Sequence, residues 1–319
     1  RKQYFATLQG LYPNHPYGTQ STIGISEHLK NPSMKAINAY FEKYYVPNNM
    51  AVIMVGDLDF EETIIKVNKA FGSYKSKEVT HPTFPPLDTI YKPIKKEVLG
   101  PTSESIYVAF RSEGKGSKHE TMLTLVDYML ANSQAGLIDL NLNQTQKVQY
   151  ASSYTNFDND YGFHLLYGAP KADQSLEEVK DLLLSQIEKI KLGEFEDWLL
   201  EAVINDLRLS QIRQYENASA TAYEFLDAFI GEQKWIDRLK MIDQMKEITK
   251  QDVITFSNLF YANNYVEVHK LMGEDTTIVK VENPGITPIE LNRDKESEFL
   301  KTFNEIKSPE LKPQFIDYN

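Results

Sequence analysis

The chain has 319 residues, a formal charge of -11 and no cysteine. That length suggests roughly two domains of ordinary size, and a balance of 41% hydrophobic and 25% charged residues argues against bulk disorder. The missing thiols exclude a disulfide framework, a thiolate metal site and a cysteine nucleophile; the excess of 45 acidic over 34 basic residues argues against nucleic acid as the main partner; and the longest clean apolar run, Met50 to Val55, is far too short to span a membrane.

In chain order, residues 1–30 read as loop and turn, punctuated by Pro13, Pro16, Gly18 and Gly24. Arg1-Lys2-Gln3 carries no initiator Met and no apolar signal segment follows, which points to processing or to a piece of a longer chain. Ile37, Tyr40, Phe41 and Tyr44 recur at helical spacing, with Ser33 as N-cap, so a helix is predicted over 33–45 and is stopped by Pro47-Asn48-Asn49. Met50 to Val55 reads as a buried strand ending at Gly56-Asp57, and a helix over about 60–71 should turn Ile64, Ile65, Val67 and Phe71 inward.

Proline then dominates Thr80-His81-Pro82-Thr83-Phe84-Pro85-Pro86, the mark of an extended linker. Strands are predicted near 93–99 and 104–110, helices over 117–132 and 135–143, and a hairpin from Val148 to Gly168 turning at Asp158-Asn159-Asp160. A long helical stretch over 174–261 breaks near Gly193 and Gly231. One apolar stripe runs Leu176, Val179, Leu183, Ile187, Ile190, and another starts Phe195, Trp198, Leu199, Ala202. The last strand, Tyr265 to Leu271, alternates in character, and a tail spaced by Pro284, Pro288, Pro309 and Pro313 closes the chain.

The segment Phe41 to Val52 repeats in Phe256 to Glu267. Phe41 and Phe256 lie 215 residues apart, and Asn48-Asn49 matches Asn263-Asn264 without a gap. Each copy ends a helix and starts a strand. Asparagine suits such corners in general, which alone accounts for two of them; the agreement of the flanking aromatics favours duplication. Duplication divides the chain into the C-terminal part of a first domain (1–76), a linker (77–94), a complete second domain of about 190 residues (95–282) and a tail toward a following half (283–319).

Leu11-Tyr12-Pro13-Asn14-His15-Pro16-Tyr17-Gly18, then Ile23-Gly24, then the helix–Pro-Asn-Asn–strand–Gly-Asp segment from Tyr40 to Asp57, resembles the pitrilysin/insulinase family of zinc metallopeptidases. The tail Lys307-Ser308-Pro309-Glu310-Leu311-Lys312-Pro313 resembles the linker between the halves of its longer members. The resemblance implies an α+β fold of homologous two-layer domains, each a mostly antiparallel sheet with helices packed on one face. It also implies zinc held in the first domain by His-x-x-Glu-His and a more distant Glu, with peptide substrates enclosed between two halves. Of the two compartments a cysteine-free chain suits, cytoplasm and periplasm, it favours the periplasm.

The sequence departs from that pattern at the chemistry. No His-x-x-Glu-His occurs, and none of His15, His28, His81, His119, His164 and His269 sits three or four residues from another. No Asp or Glu precedes Glu27, so the third ligand is missing too. Zinc is therefore expected in the parent protein and not on this chain, which should carry no catalytic residue. The family's substrate-binding Arg and Tyr lie seven residues apart. Gln149-Tyr150-Ala151-Ser152-Ser153 matches the Tyr segment and makes Tyr150 the substrate-binding candidate, but seven residues earlier stands Asn143. A strand tyrosine also fits half-buried packing, and His15 fits a turn residue held by Pro16 and Gly18. The expected function is the chamber-lining, supporting part of a zinc metalloendopeptidase, with peptides, an upstream zinc domain and a downstream half as partners. The alternative is a non-catalytic peptide-binding or assembly subunit of the same fold.

Overall fold

A computed structural model describes residues 1–24, 26–30, 32–276 and 295–307. Residues 1–275 form one unit. A second unit, 276–319, is described over 295–307, where Ser297 caps a short helix. The tail prolines and most of the linker-like segment from Lys307 to Pro313 lie outside the described residues.

The first thirty residues are more helical than their punctuation suggests. Helix α1 (Lys2–Leu11) precedes the prolines, followed by the short α2 (Pro16–Thr19) and α3 (Ser26–Lys30). Pro13 and Gly24 lie between these helices, while Pro16 opens α2 and Gly18 lies within it; α1 is stabilised by tertiary packing rather than by its own termini. Helix α4 (Met34–Tyr44) begins on the Ser33 cap as predicted and gives way to a 3₁₀ turn at Pro47–Asn49. Residues 50–55 form no strand: Met50, Val52 and Met54 are each more than half exposed, and no neighbouring strand is present among the described residues. Helix α5 (Phe60–Phe71) forms on the Asp59 cap, yet the side expected to face inward is bare, with Ile64 and Ile65 exposed and no residue of α4 or α5 buried.

Residues 75–93 run without helix or strand. Strands β1 (Ile94–Gly100) and β2 (Ser105–Glu113) follow, then α6 (Lys118–Leu130), a π turn at Asp139–Asn143, and the hairpin of β3 (Tyr150–Phe157) and β4 (Tyr161–Ala169). The helical stretch is α7 (Leu176–Leu192), α8 (Asp197–Tyr215), α9 (Ala218–Ile230), α10 (Trp235–Met245) and α11 (Lys250–Phe260), leading into β5 (Tyr265–Met272); the helix in the second unit is α12 (Glu298–Glu305). Besides the glycine breaks, it breaks at Glu216-Asn217, where Asn217 caps α9, and before Thr249, which caps α11 with a capping box.

The sheet order is β1-β5-β2-β4-β3, with β1–β5 parallel and the other three pairings antiparallel. The last strand therefore slots between the first two. On one face the core joins Ile106, Val108 and Phe110 to α6, α7, α8, α10 and α11; the predicted Leu176–Ile190 stripe is buried there. The second stripe is shifted: Trp198 and Ala202 face outward, and Leu199, Val203, Ile204 and Leu207 are the buried positions of α8. These helices cover one face, as expected. The other is covered by α1 and its turn, where Ala6, Leu11 and Tyr12 pack on Ala109, Phe163, Leu165, Val266 and Val268. Strand β5 is thus buried on both sides, and its alternation has no solvent face.

Polar pins fix α1. Gln3 Nε2 donates to the carbonyls of Ser105 (3.1 Å) and Val268 (3.0 Å), and Tyr12 donates to Gly162 O at 2.8 Å. Gly10 lets the helix approach the sheet: a Cβ there would stand 2.6 Å from Val266 Cγ1. Gly10→Val should therefore overpack this layer and lower stability by about 1–3 kcal/mol, read from the urea midpoint.

The two Asn-Asn corners share a device. Asn49 Nδ2 donates to Tyr44 O (2.9 Å) and Asn264 Nδ2 to Phe260 O (3.0 Å), so each second asparagine closes on the last carbonyl of the preceding helix. In the second corner the chain enters the centre of a sheet; in the first it enters the exposed 50–55 segment.

Candidate functional site

Three polar constellations stand out on this frame. The first is at the start of β3, a sheet edge. Tyr150 is 52% exposed, with its ring 5.9 Å from that of Tyr167. Asn143, seven residues earlier at the end of the π turn, is occupied by backbone: its Nδ2 donates to Ala151 O and its Oδ1 accepts from Ala151 N, both at 2.8 Å. The structure thus brings the two positions together, but Asn143 fixes the strand beside Tyr150 instead of presenting a charge to a ligand.

The second is a buried relay across β3, β4, α6 and the end of α11. His164 Nε2 lies 3.2 Å from Asp127 Oδ1, its Nδ1 lies 2.5 Å from Tyr261 Oη, and Ser153 Oγ donates to the same Asp127 oxygen at 2.5 Å. The carboxylate only accepts, so Nε2 carries the imidazole proton and Nδ1 accepts from the tyrosine. Burial, and then the Asp127 charge, push the Tyr261 hydroxyl far above its ordinary value, which keeps it a donor. Serine, histidine and aspartate are all present, but the serine bonds the aspartate rather than the imidazole and every member is buried. The relay is a structural lock, not a nucleophile with its base. His164 is the hydrogen-bonded packing residue the strand position suggests.

His15 has a similar part. It caps α2, its Nδ1 accepts from Tyr17 N at 3.3 Å, its Nε2 lies 3.1 Å from Asp160 Oδ2, and rings of Tyr17, Phe84 and Tyr161 enclose it. It ties the first turn to the β3–β4 hairpin.

The third constellation joins β5 to the first turn of α7. Glu267 and His269 are alternate residues on the α7 side of β5, both buried, and Glu177 reaches them from α7. Lys95 of β1 bonds Glu177 Oε1 at 2.8 Å; Lys180 pairs with Glu177 and stands 3.0 Å from Glu267 Oε2, off the line of a hydrogen bond. Hydrogen bonds from Lys180 and Lys95 hold the Glu177 carboxyl down to about 2. Burial depresses the Lys180 ammonium, but its two carboxylates outweigh that and raise it. Sequence reasoning missed this cluster because it looked for paired histidines. The available signal was partial: Glu267 and His269 stand two apart and so share one face of an alternating strand, while Glu177 comes from a helix 90 residues earlier.

Fold and constellations define a class: an α+β domain whose buried serine, histidine and aspartate hold strands and helices together. The chain belongs to peptidase family M16, since a family model described as the peptidase M16 inactive domain matches residues 33–207. This agrees with the pitrilysin/insulinase resemblance. The "Zinc protease PqqE" of Helicobacter pylori is 22% identical over 236 residues, 71% of this chain and 52% of that protein. The "Uncharacterized zinc protease YmfH" of Bacillus subtilis is 25% identical over 242 residues, 70% and 54%. The chain spans about half the length of these curated relatives. Among solved structures, a protease from Helicobacter pylori superposes with a TM-score of 0.76 at 18% identity over 84% of this chain and 66% of that one. A peptidase M16 inactive domain from Pseudomonas fluorescens does so with 0.74 at 14% over 86% and 66%.

The paired histidines of the family's zinc motif are not found in this sequence. Among the described residues one group of three metal-capable side chains comes together, Glu177, Glu267 and His269, and it holds a single histidine.

Proposed function

We propose that this chain is the part of an M16-type zinc metalloendopeptidase that carries no zinc motif, bracing the zinc domain and lining the chamber in which peptides are cut. The observation that carries the reading is a conjunction: relatives named zinc proteases align with some seven-tenths of the chain, yet no His-x-x-Glu-His occurs in it. Residues 1–76 complete a first, catalytic-type domain, 77–94 link it to the second domain at 95–282, and 283–319 lead toward a following half. The bare apolar side of α4 and α5 supports this, because it is what a domain lacking its sheet exposes. Tyr150, exposed at the start of the edge strand β3, contacts the peptide, while the Arg–Tyr pair that clamps it comes from the other half.

Assays on a fluorogenic peptide test the reading. The chain alone should show no chelator-sensitive turnover. Extended upstream through a His-x-x-Glu-His domain it should hydrolyse the peptide, and Tyr150→Ala in that protein should raise KM about threefold to tenfold with kcat nearly unchanged. An upstream domain that lacks the motif, in a protein that binds the peptide without cutting it, would favour the non-catalytic subunit.

A further inference from the structure

We infer that Glu177, Glu267 and His269 bind one divalent first-row transition cation, with zinc the best match. The inference does not rest on the proposed function. His269 Nε2 lies 3.7 Å from Glu267 Oε1 and 3.8 Å from Glu177 Oε1, and one ligand atom from each residue falls within 4.8 Å of the others. Ligand atoms around a tetrahedral zinc at about 2 Å stand roughly 3.3 Å apart, so sub-ångström side-chain shifts close the site. The ligands sit on rigid elements: two from alternate positions of a strand paired on both sides, and one from a helix start held by the Ser175–Glu178 capping box.

The imidazole is the independent sign. His269 is 4% exposed, and its enclosed Nε2 has no hydrogen-bond partner among the described residues. Buried polar nitrogens are almost always satisfied, and this one lies within 4 Å of two carboxylates without bonding either. A dication would satisfy its lone pair and balance both negative charges. One imidazole with carboxylate oxygens suits zinc and its neighbours better than calcium or magnesium, which prefer oxygen alone.

Lys95 and Lys180 hold the carboxylates in the absence of an ion. Lys95 is nearly half exposed and can swing outward when a cation enters, whereas Lys180 is 15% exposed and competes for the carboxylates from inside the cluster. They act as competitors, and that gives a signature a purely structural ion-pair network lacks: removing the Lys180 charge should tighten cation binding.

Calorimetric titration of the full chain with zinc chloride tests this. Expected are one equivalent bound with micromolar affinity, weakening of at least ~30-fold in His269→Ala, tightening of about tenfold in Lys180→Met, and no change in His28→Ala on an exposed helix. Should His269→Ala fail to fold, cobalt(II) provides the second readout: a tetrahedral visible band in the wild type that saturates at lower cobalt in Lys180→Met. No bound equivalent in the wild type, equal affinity in His269→Ala, or no tightening in Lys180→Met by either readout would overturn the site and leave an ion-pair network only.

Discussion

Asp127→Ala is expected to cost about 3–5 kcal/mol, the largest loss of any single substitution discussed for this chain. Asp127 Oδ1 takes hydrogen bonds from both His164 and Ser153 inside the core. Truncation leaves an imidazole N–H and a hydroxyl without their acceptor in the core, where Met129, Leu130 and Phe110 are also buried. Asp127→Asn retains an acceptor oxygen in place and should lose only about 1–2 kcal/mol. The contrast between the two separates the hydrogen bonds from side-chain volume. Urea unfolding followed by circular dichroism would show it, with the alanine midpoint falling by on the order of 1 M. Equal midpoints for the two variants would mean that the relay is not what holds β3 and β4 against α6.

The elements most legible in the sequence were those with a local cause. Ser33 and Asp59 start helices because a short polar side chain meets the free N–H groups of the first turn. The hairpin at Asp158–Asp160 and the Leu176–Ile190 stripe were readable for the same reason, since turn chemistry and helical period leave marks at short range. What escaped was set by distant partners. Helix α1 is a short run with Gly10 inside it, and nothing local shows that a sheet whose first strand starts 83 positions after Leu11 will take it up. The alternation of β5 is real, but its polar members face α7 rather than water, because β5 enters between β1 and β2. Val52 and Ile64 have the pattern of buried residues, yet burial needs a partner surface as well as a pattern. Of the constellations, Tyr150 with its neighbour Asn143 had a sequence signature, and the Glu267-x-His269 pair was half of one. The relay, and the reach of Glu177 to that pair, join residues from elements far apart in the chain, so spacing could not reveal them.

The segment 34–72 gives the second large effect, and it tests the domain arrangement directly. In the isolated chain the backbone amides of α4 and α5 should exchange with solvent nearly as fast as in an unfolded peptide, while those of β2, β4 and β5 exchange only on global opening. Helices of this length are marginal in water without tertiary support, and Ile37, Tyr40, Phe41, Val52, Met54 and Ile64 are all more than half exposed. Burying each such side chain contributes about 1.5–3 kcal/mol, so covering the set is worth of the order of 10 kcal/mol before ordering costs. The matched corner indicates what should cover it. Asn264 leads into β5, which has a strand on each side, so residues 50–55 are expected to take a strand on each side once the upstream part of their domain is attached. In the extended protein the amides of α4 and α5 should then slow by at least ~10³-fold, because about 4 kcal/mol of the buried-surface gain is enough to do so. Met54→Asp should abolish that slowing without changing exchange in β2 or β5. Slow exchange of α4 and α5 in the isolated chain, if it disappears on dilution, would instead mean that a second copy covers the face. If it persists at every concentration, the two helices are stable without a cover and the division of the chain near residue 76 is wrong.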